Sequence, residues 1–291
     1  MKDILNLLTI QKIKGFGQSR IKSFYSPELT DEQIMLYTNT QNYLALKQET
    51  WREMSVLEGY GIKAISYLNE PLRGIADAPM VLFYKGDITL LNRNILKVAV
   101  IGTRDFTPEI EEKERRIVRE ITRQAVTVSG LAMGCDAIAH DETIRSGGKT
   151  IAILPSSIQT IKPATNYNLA QEVLRTGGLL LSEYMFNATA TYEIKHRYIE
   201  RDRLQPLFSN GVLLCASKSD GGSRIAVGHA SAMNRPVCAL DFGDTGTDQR
   251  FELNRKLVKE GTASKIDTCE DMAMWLERVR ETRPATQLSI F

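Results

Sequence analysis

Short apolar runs recur along the chain from about residue 80, and segments of helical periodicity lie between them. Examples are KVAVI at Lys97–Ile101, TIAIL at Thr150–Leu154 and PVCAL at 236–240. Near-continuous apolar strands that alternate with helices are typical of a parallel sheet covered by helices on both faces. The sequence therefore predicts an α/β fold with a doubly wound, Rossmann-like parallel sheet.

The same reading gives an expected order of elements. Strands are predicted at 80–84, 97–101, 125–128, 150–154, 178–182, 211–215 and 236–240, and the last of these is the final clear strand. Helices are predicted at about 108–124, 136–146 and 166–175, with another that ends near residue 233.

Three regions are expected along the chain. Residues 1–75 are predicted to form a small helical domain, residues 76–275 the Rossmann-like domain, and residues 276–291 a C-terminal tail. Within the first region, IKGFGQSRI at 13–21 has the pattern of two helices joined by a tight glycine turn. Such a hairpin can present N–H groups to a DNA phosphate, but plain helix packing explains the pattern as well.

Composition excludes several classes of protein. The 37 basic and 35 acidic side chains give a net charge of +2, so a nucleic acid would have to bind a local basic groove. The N-terminus lacks a signal peptide and no run is long enough to span a membrane, which favours a cytoplasmic protein. His140, His196 and His229 show no ligand-like spacing with the cysteines, so we expect neither a metal nor a cofactor. The cysteines are Cys135, Cys215, Cys238 and Cys269.

Phosphate-binding residues are expected in the loops that follow the strands, because ligands of such sheets bind at the carboxyl ends of the strands. Gly102, Thr103 and Arg104 follow one strand, and Thr107 and Pro108 are suited to begin the next helix. Glycine lets backbone N–H groups approach a phosphate, and arginine binds its oxygens as a fork. Neither a GxGxxG fingerprint nor a P-loop is present.

Ser129 and Gly130 end the next strand, and we interpret the loop after them as a second phosphate-binding loop. Asp136 is placed to begin the following helix, and His140 to pack against it. A Cys135–His140 nucleophilic pair is disfavoured because residues five apart on one helix point to different faces.

Two further stretches are rich in basic or phosphate-binding residues. The loop SKSDGGSR at 217–224 has the composition of an anion-binding nest before a helix. The stretch KHRYIERDR at 195–203 carries four arginine or lysine side chains around Tyr198. A solvated helix face with ion pairs would explain that stretch as well, but its convergence with the three loops on one sheet edge favours nucleic acid.

With these motifs assembled, the chain resembles the DprA (Smf) family of DNA-processing proteins. The matching segments are VIGTR at 100–104, SGLAMGCD at 129–136 with Ala139-His140, GGKTIAIL at 147–154 and LSEY at 181–184. Departures occur at Met133, Ala164 and Asp202, where the family has arginine, lysine and asparagine, and Lys162 is expected to replace the missing lysine.

The resemblance implies a non-catalytic protein that binds single-stranded DNA in recombination and loads a RecA-type recombinase, or a derived role in anti-phage or toxin–antitoxin units. It also implies a homodimer. The alternatives are a nucleotide-binding sensor or a phosphoribohydrolase-like enzyme of the same superfamily; against the enzyme, residues 220–224 lack its Gly-Thr and glutamate. The residues predicted to contact nucleic acid are Gly102, Thr103, Arg104, Ser129, Gly130, Lys162, Asn166, Arg197, Arg201, Arg203, Gly222, Ser223 and Arg224.

The last five residues suggest a separate partner. Gln287, Leu288, Ile290 and Phe291 resemble the short peptide with which bacterial proteins bind the β sliding clamp. Docking of these apolar side chains onto the protein's own surface is the alternative.

Overall fold

A computed structural model describes residues 1–243 and 246–281 of the chain. The chain begins with four helices, α1 to α4. A capping box begins α3, in which the side chain of Thr30 accepts from the N–H of Gln33 and that of Gln33 accepts from the N–H of Thr30. The bounds are Lys2–Gln11 (α1), Gln18–Phe24 (α2), Asp31–Thr38 (α3) and Tyr43–Gly59 (α4).

Strands and helices alternate through the rest of the described chain. The strands are Lys63–Ser66 (β1), Val81–Gly86 (β2), Lys97–Ile101 (β3), Val126–Ser129 (β4), Thr150–Leu154 (β5), Leu179–Ser182 (β6), Gly211–Leu214 (β7), Val237–Leu240 (β8) and Ser264–Ile266 (β9). The helices are Pro108–Thr122 (α5), Cys135–Arg145 (α6), Tyr167–Arg175 (α7), Thr191–Asp202 (α8), Leu204–Leu207 (α9), Ser223–Ala232 (α10), Glu252–Lys259 (α11) and Cys269–Glu281 (α12).

The strands of the described residues form one sheet in the order β1-β2-β6-β5-β4-β3-β7-β8-β9. The seven strands from β6 to β9 in that order are parallel, and β1 and β2 are antiparallel at one edge. The chain therefore builds outward from β3 in one direction through β4, β5 and β6, and then in the other through β7, β8 and β9. A crevice forms between β3 and β7, where the order reverses, and such a switch point is where sheets of this class bind ligands.

The α/β fold with a mostly parallel sheet is confirmed, and β3 and β5 have the predicted bounds. The elements that were not predicted from the sequence include β1, which lies in the region predicted to be helical, and α11, β9 and α12, which follow the last predicted strand. β1 is a four-residue edge strand with only Ser66 buried, and β9 has three residues with only Ile266 buried. Neither one has the apolar run from which the other strands were predicted.

The N-terminal helices share a hydrophobic core with the sheet. Leu7 and Ile10 of α1 belong to the same buried cluster as Phe83 of β2, Leu154 of β5 and Leu180 of β6. The helices thus cover part of one face of the sheet, and β1 extends the sheet itself. The domain limits at residues 75 and 275 stay a prediction. Within the part of the chain that the structure describes, no helix is long and apolar enough to cross a membrane.

Candidate nucleic-acid interface

A cavity of about 450 Å³ lies at the carboxyl ends of β3 and β7, at the switch point of the sheet. The loop after β3, the beginning of α6, the end of α8 and the loop after β7 all contribute to it. Its lining residues are Ile101, Gly102, Thr103, Arg104, Asp105, Ala132, Asp136, Tyr198, Arg201, Asp202, Gln205, Ser217, Lys218, Gly221, Gly222, Ser223 and Ala226.

The loop after β3 is held against the protein interior by close packing. A Cβ atom at Gly102 would lie 2.5 Å from Sγ of Cys135, so only glycine fits between this loop and α6. The N–H of Cys135 donates to the carbonyl of Thr103 at 3.1 Å, which joins the loop to the beginning of α6. Thr107 caps α5 as predicted, since its hydroxyl accepts from the N–H of Ile110. Arg104 therefore projects from a loop whose backbone is firmly positioned.

Asp136 has a different role from the predicted helix cap. Gly134 occupies the N-cap position of α6, and the Asp136 carboxylate accepts from the N–H groups of Gly130 and Ala132, each at 3.2 Å. This buried carboxylate closes the loop after β4 on itself. The loop predicted to hold a phosphate is thus held by an acidic side chain of the protein.

His140 does not pack on Asp136 as a partner. Its Nδ1 lies 2.7 Å from the hydroxyl of Thr150, and the ring is fully buried. Burial and then the nearby Arg201 charge lower the pKa of His140 to about 3, so the ring is neutral at physiological pH. His140 is a buried structural residue that joins α6 to β5.

Arg201, at the end of α8, is the buried charge of the cavity. Only 3% of its surface is exposed, and its Nη1 lies 3.6 Å from Asp136 Oδ2 while its Nε lies 3.5 Å from Asp202 Oδ1. A Cβ atom at Gly130 would lie 1.2 Å from Nη1 of Arg201, so the guanidinium occupies the space that any other residue at 130 would fill. Gly130 is required here because it accommodates an arginine of the protein.

Buried polar side chains at the cavity contact one another. Nε and Nη1 of Arg201 lie in ion pairs with Asp202 and Asp136 that are too long to be hydrogen bonds. Nε2 of Gln205 donates to Asp202 Oδ1 at 3.3 Å, and Oε1 of Gln205 has no hydrogen-bond partner among the described residues. Burial raises the pKa of Asp202 to about 6, against the opposing effect of Arg201. Buried polar atoms without partners cost free energy unless a ligand or water satisfies them. The floor of the cavity is therefore prepared for a polar ligand.

The loop after β7 forms the opposite end of the lining and leads into α10. Asn254 holds it from below: its Oδ1 accepts from the N–H of Ser217 at 3.2 Å, and its Nδ2 donates to the carbonyl of Cys215 at 2.9 Å. α10 begins at Ser223, and the N–H groups of Arg224 and Ile225 in its first turn donate to the carbonyls of Gly221 and Gly222 at 3.1 and 2.9 Å. Lys218 is exposed at the lining, so its ammonium group is available to an anion.

Six of the thirteen predicted residues line the cavity: Gly102, Thr103, Arg104, Arg201, Gly222 and Ser223. The other seven lie elsewhere. Lys162 and Arg224 are exposed. The remaining five, Ser129, Gly130, Asn166, Arg197 and Arg203, are engaged in contacts within the protein.

Three of these residues make well-defined internal contacts. The hydroxyl of buried Ser129 donates to the carbonyl of Val100 at 2.7 Å, and Nδ2 of Asn166 donates to the carbonyl of Leu131 at 2.9 Å. Arg197 pairs with Glu193 of the same helix and stacks over the ring of Tyr184, with its Cζ 4.1 Å from the ring centroid. These three side chains support the loops, and their contacts with DNA stay a prediction.

The residues of the stretch 195–203 have two different roles, internal ion pairing and lining of the cavity. Arg203 forms an ion pair with Glu183, whose side chain is only 5% exposed. Tyr198 lies at the cavity instead, with the guanidinium of Arg104 over its ring at 5.3 Å. Gln205 and Lys218 also line the cavity, although neither is among the thirteen residues predicted to contact nucleic acid. Lys218 lies in the loop at 217–224 that was predicted to bind an anion, but nothing in the sequence marks Gln205.

Comparison with known proteins agrees with this geometry. A family model described as DNA recombination-mediator protein A matches residues 62–277. The DNA processing protein DprA of Streptococcus pneumoniae is 32% identical over 195 residues, which cover 65% of this chain and 67% of that protein. The DprA of Bacillus subtilis is 35% identical over 170 residues, covering 58% of this chain but only 56% of that protein.

Two solved structures are similar to the whole architecture. An X-ray structure of the Streptococcus pneumoniae protein superposes with a TM-score of 0.69 at 26% identity and covers 94% of this chain and 92% of its own. DNA processing protein A of Helicobacter pylori, whose structure describes a unique single-stranded DNA binding mode, superposes with a TM-score of 0.64 at 28% identity, covering 75% of this chain and 96% of its own. These relatives are DNA-processing proteins, which confirms the predicted role in DNA processing. With a family match over most of its length and a switch-point cavity where the family motifs converge, this chain belongs to the DNA recombination-mediator protein A family.

Proposed function

We propose that this protein binds single-stranded DNA without catalysing a reaction on it, and that it acts in DNA processing and recombination. The observation that carries the proposal is the switch-point cavity, which is lined by the exposed cations Arg104 and Lys218 and by the ring of Tyr198. The single-stranded DNA binding described for the Helicobacter pylori relative supports it.

The dimensions of the cavity favour a single strand over a duplex. A volume of about 450 Å³ accepts about one nucleotide unit, and a base inside it is unavailable for pairing. Phosphates on either side would contact Arg104 and Lys218, while Tyr198 offers a ring for stacking. Gln205 would then satisfy the polar edge of the enclosed group, above the ion pairs of Arg201.

An enzyme that cleaves nucleotides has less support from the side chains at the cavity. In the cavity, the two carboxyl groups nearest the guanidinium of Arg201 are those of Asp136 and Asp202. Asp136 already accepts two backbone hydrogen bonds, and Asp202 receives one from Gln205. Asp136 is therefore committed to internal partners, which leaves Asp202, whose pKa burial raises to about 6, as the carboxyl group that an assay of nucleotide release would test.

The test is a binding titration of the full chain with fluorescein-labelled single-stranded and duplex DNA of equal length, over a range of salt concentrations. We expect the single strand to bind more tightly and its affinity to fall steeply with salt, because phosphate contacts release counterions. A double substitution, Arg104→Ala with Lys218→Ala, should weaken binding strongly.

The matched control is Arg123→Ala. Arg123 follows α5 beyond its C-terminal end, at the opposite edge of the sheet from the cavity, and 69% of its side chain is exposed. Its removal should leave binding unchanged. Equal affinity for single strand and duplex, or a salt-independent affinity, would contradict the proposal, and release of free base or nucleotide during the assay would favour the enzyme.

The proposed function includes two further partners, a recombinase and a second copy of this chain. A recombination function implies delivery of a RecA-type recombinase to the bound strand, a cytoplasmic location beside the chromosome, and a homodimer that holds one strand at two cavities. The same binding would serve a derived anti-phage or toxin–antitoxin role. Light scattering of the purified chain tests the dimer, and a recombinase-filament assay on coated single strands tests the loading.

The β-clamp motif stays a prediction, because Gln287, Leu288, Ile290 and Phe291 lie outside the described residues. Burial of three apolar side chains at about 1.5–3 kcal/mol each, less the cost of ordering the peptide, corresponds to a Kd of roughly micromolar size. A peptide of residues 282–291 titrated into purified clamp measures it. Equal binding by a peptide with alanine at positions 287, 288 and 291 would exclude the motif.

A further inference from the structure

Three potential metal ligands meet behind the cavity, in the interior of the protein. The carboxylate of Glu114 in α5 and the thiols of Cys135 in α6 and Cys215 after β7 offer ligand atoms that all lie within 4.8 Å of one another. Each of the three side chains is fully buried. They come from three separate elements, far apart in sequence, so ligand spacing along the chain gave no sign of them.

Glu114 is the anomalous member of the cluster. Neither of its carboxylate oxygens has a well-formed hydrogen bond among the described residues, and the polar groups beside it are the thiols of Cys135 and Cys215. Apolar side chains of one core cluster surround the group. A buried carboxyl group in such surroundings is costly, and a bound cation is one of the physical explanations for it.

The donor set suits a transition metal of the zinc class. Zinc prefers thiolate and carboxylate ligands at about 2.3 Å and about 2.0–2.2 Å, so two sulfur ligands of a tetrahedral site lie about 3.8 Å apart. Atoms within 4.8 Å of one another reach that geometry with small side-chain shifts. Calcium and magnesium would prefer an all-oxygen site, which excludes them here.

The cluster lies directly behind the loop after β3. A Cβ atom at Gly102 would lie 2.5 Å from Sγ of Cys135 and 3.2 Å from Cβ of Cys215, so this loop packs on both cysteines. An ion bound at the cluster would connect α5, the beginning of α6 and the end of β7. These elements position the Gly102–Arg104 loop.

We propose that Glu114, Cys135 and Cys215 form a site for one divalent zinc-class ion, which fixes the base of the loop that carries Arg104. The ion replaces the protons of both thiols and of the carboxyl group, and these protons pass to solvent. This site is independent of the DNA-binding proposal, since it is read out by metal binding alone.

The experiment uses Co²⁺ as a spectroscopic substitute for zinc, with the full chain under reducing conditions. Because the ligands are buried, the ion is offered both to the folded protein and during refolding from urea. We expect about one cobalt per chain, a thiolate-to-cobalt charge-transfer absorption that zinc abolishes, and a zinc-dependent rise in Tm. Cys135→Ser and Cys215→Ser should each remove most of the absorption, and Glu114→Gln should weaken binding at least tenfold.

Cys238→Ser is the matched control, because Cys238 is equally buried in the same core cluster but is not a member of the triad. It should retain the full cobalt spectrum. Glu114→Gln, which preserves side-chain size, decides the question if a serine variant fails to fold. The proposal is overturned if the native chain gives no charge-transfer absorption, or if the absorption survives in both the Cys135→Ser and Cys215→Ser variants.

Discussion

Arg201 and Arg104 both line the cavity, and the sequence gives no reason to treat them differently, yet their surroundings are opposite. Arg201 is buried between Asp136 and Asp202, whereas Arg104 is exposed and its guanidinium lies over the ring of Tyr198. A buried guanidinium between two carboxylates holds the structure together, while an exposed one at a cavity mouth is available to a phosphate.

The same division separates Arg203 from Arg224. Arg203 is paired with the buried side chain of Glu183, and Arg224 is exposed on the first turn of α10. Arg201 and Arg203 are therefore structural, and Arg104 in the loop after β3 and Arg224 in the first turn of α10 are the candidates for DNA contact. Two kinds of substitution test this division. One changes the stability of the protein but not the salt dependence of DNA binding, and the other changes the salt dependence but not the stability.

Arg201→Ala should have the largest effect. It leaves the carboxylates of Asp136 and Asp202 buried without their cation, which costs about 3–5 kcal/mol of the free energy of unfolding. Urea denaturation of the variant measures the loss. A double variant, Arg201→Gln with Asp136→Asn, should recover part of it, because fewer charges are then left unpaired. A loss below about 1 kcal/mol would show that Arg201 is not structural.

Arg203→Ala should destabilise the protein by a smaller amount, about 1–3 kcal/mol at pH 8. Glu183 then loses its cation while burial keeps the pKa of its carboxyl raised. The loss should shrink at acidic pH, where Glu183 takes up a proton and no buried charge remains. We expect the salt dependence of DNA binding to stay the same, and a reduced salt slope would move Arg203 to the DNA-contact group.

Arg104→Ala should do the opposite. We expect the free energy of unfolding to change by less than about 0.5 kcal/mol, since the side chain is exposed. Affinity for single-stranded DNA should fall roughly tenfold, and the slope of log affinity against log salt should decrease by about one because one phosphate contact is lost. Unchanged affinity, measured by fluorescence anisotropy, would remove Arg104 from the interface.

Asp202→Asn should have the opposite sign, a gain in stability, and the size of that gain depends on pH. The pKa of Asp202 is raised to about 6, so the folded protein binds this proton more tightly than the unfolded chain does. The stabilising contribution of the raised pKa is present below about pH 4 and is lost as the pH rises through 6. The variant should therefore be more stable than the native protein at pH 8, with little difference at pH 4.

Asp202→Asn also tests whether the DNA strand reaches the floor of the cavity. Above pH 6 the ionised Asp202 adds negative charge close to Arg201, Arg104 and Asp136, the charged groups that influence it. Asp202→Asn should therefore strengthen single-strand binding a few-fold at pH 8 and hardly at all at pH 5. Equal affinity of the two proteins at pH 8 would mean that the strand does not reach the cavity floor.

The amino-acid sequence alone determined the sheet and the edge at which ligands bind. The apolar runs of β3 and β5 identify buried strands residue for residue, because a strand buried on both faces is apolar along nearly all of its length. Only the first residues of these strands, Lys97 and Thr150, are polar. Parallel strands end at one edge, so the Gly102 and Gly222 loops had to meet there. Short strands such as β1 and β9 carry too little of this pattern to be recognised.

Only the tertiary structure decided which of the basic residues is free and which is paired. Arg201 meets Asp136 across more than sixty positions of chain, and Glu114 meets Cys135 and Cys215 across three elements. Such contacts depend on how helices pack on the sheet, and no local pattern encodes the distance between two side chains on different elements. Burial and ion pairing, which separate a structural arginine from one that binds DNA, are properties of that packing.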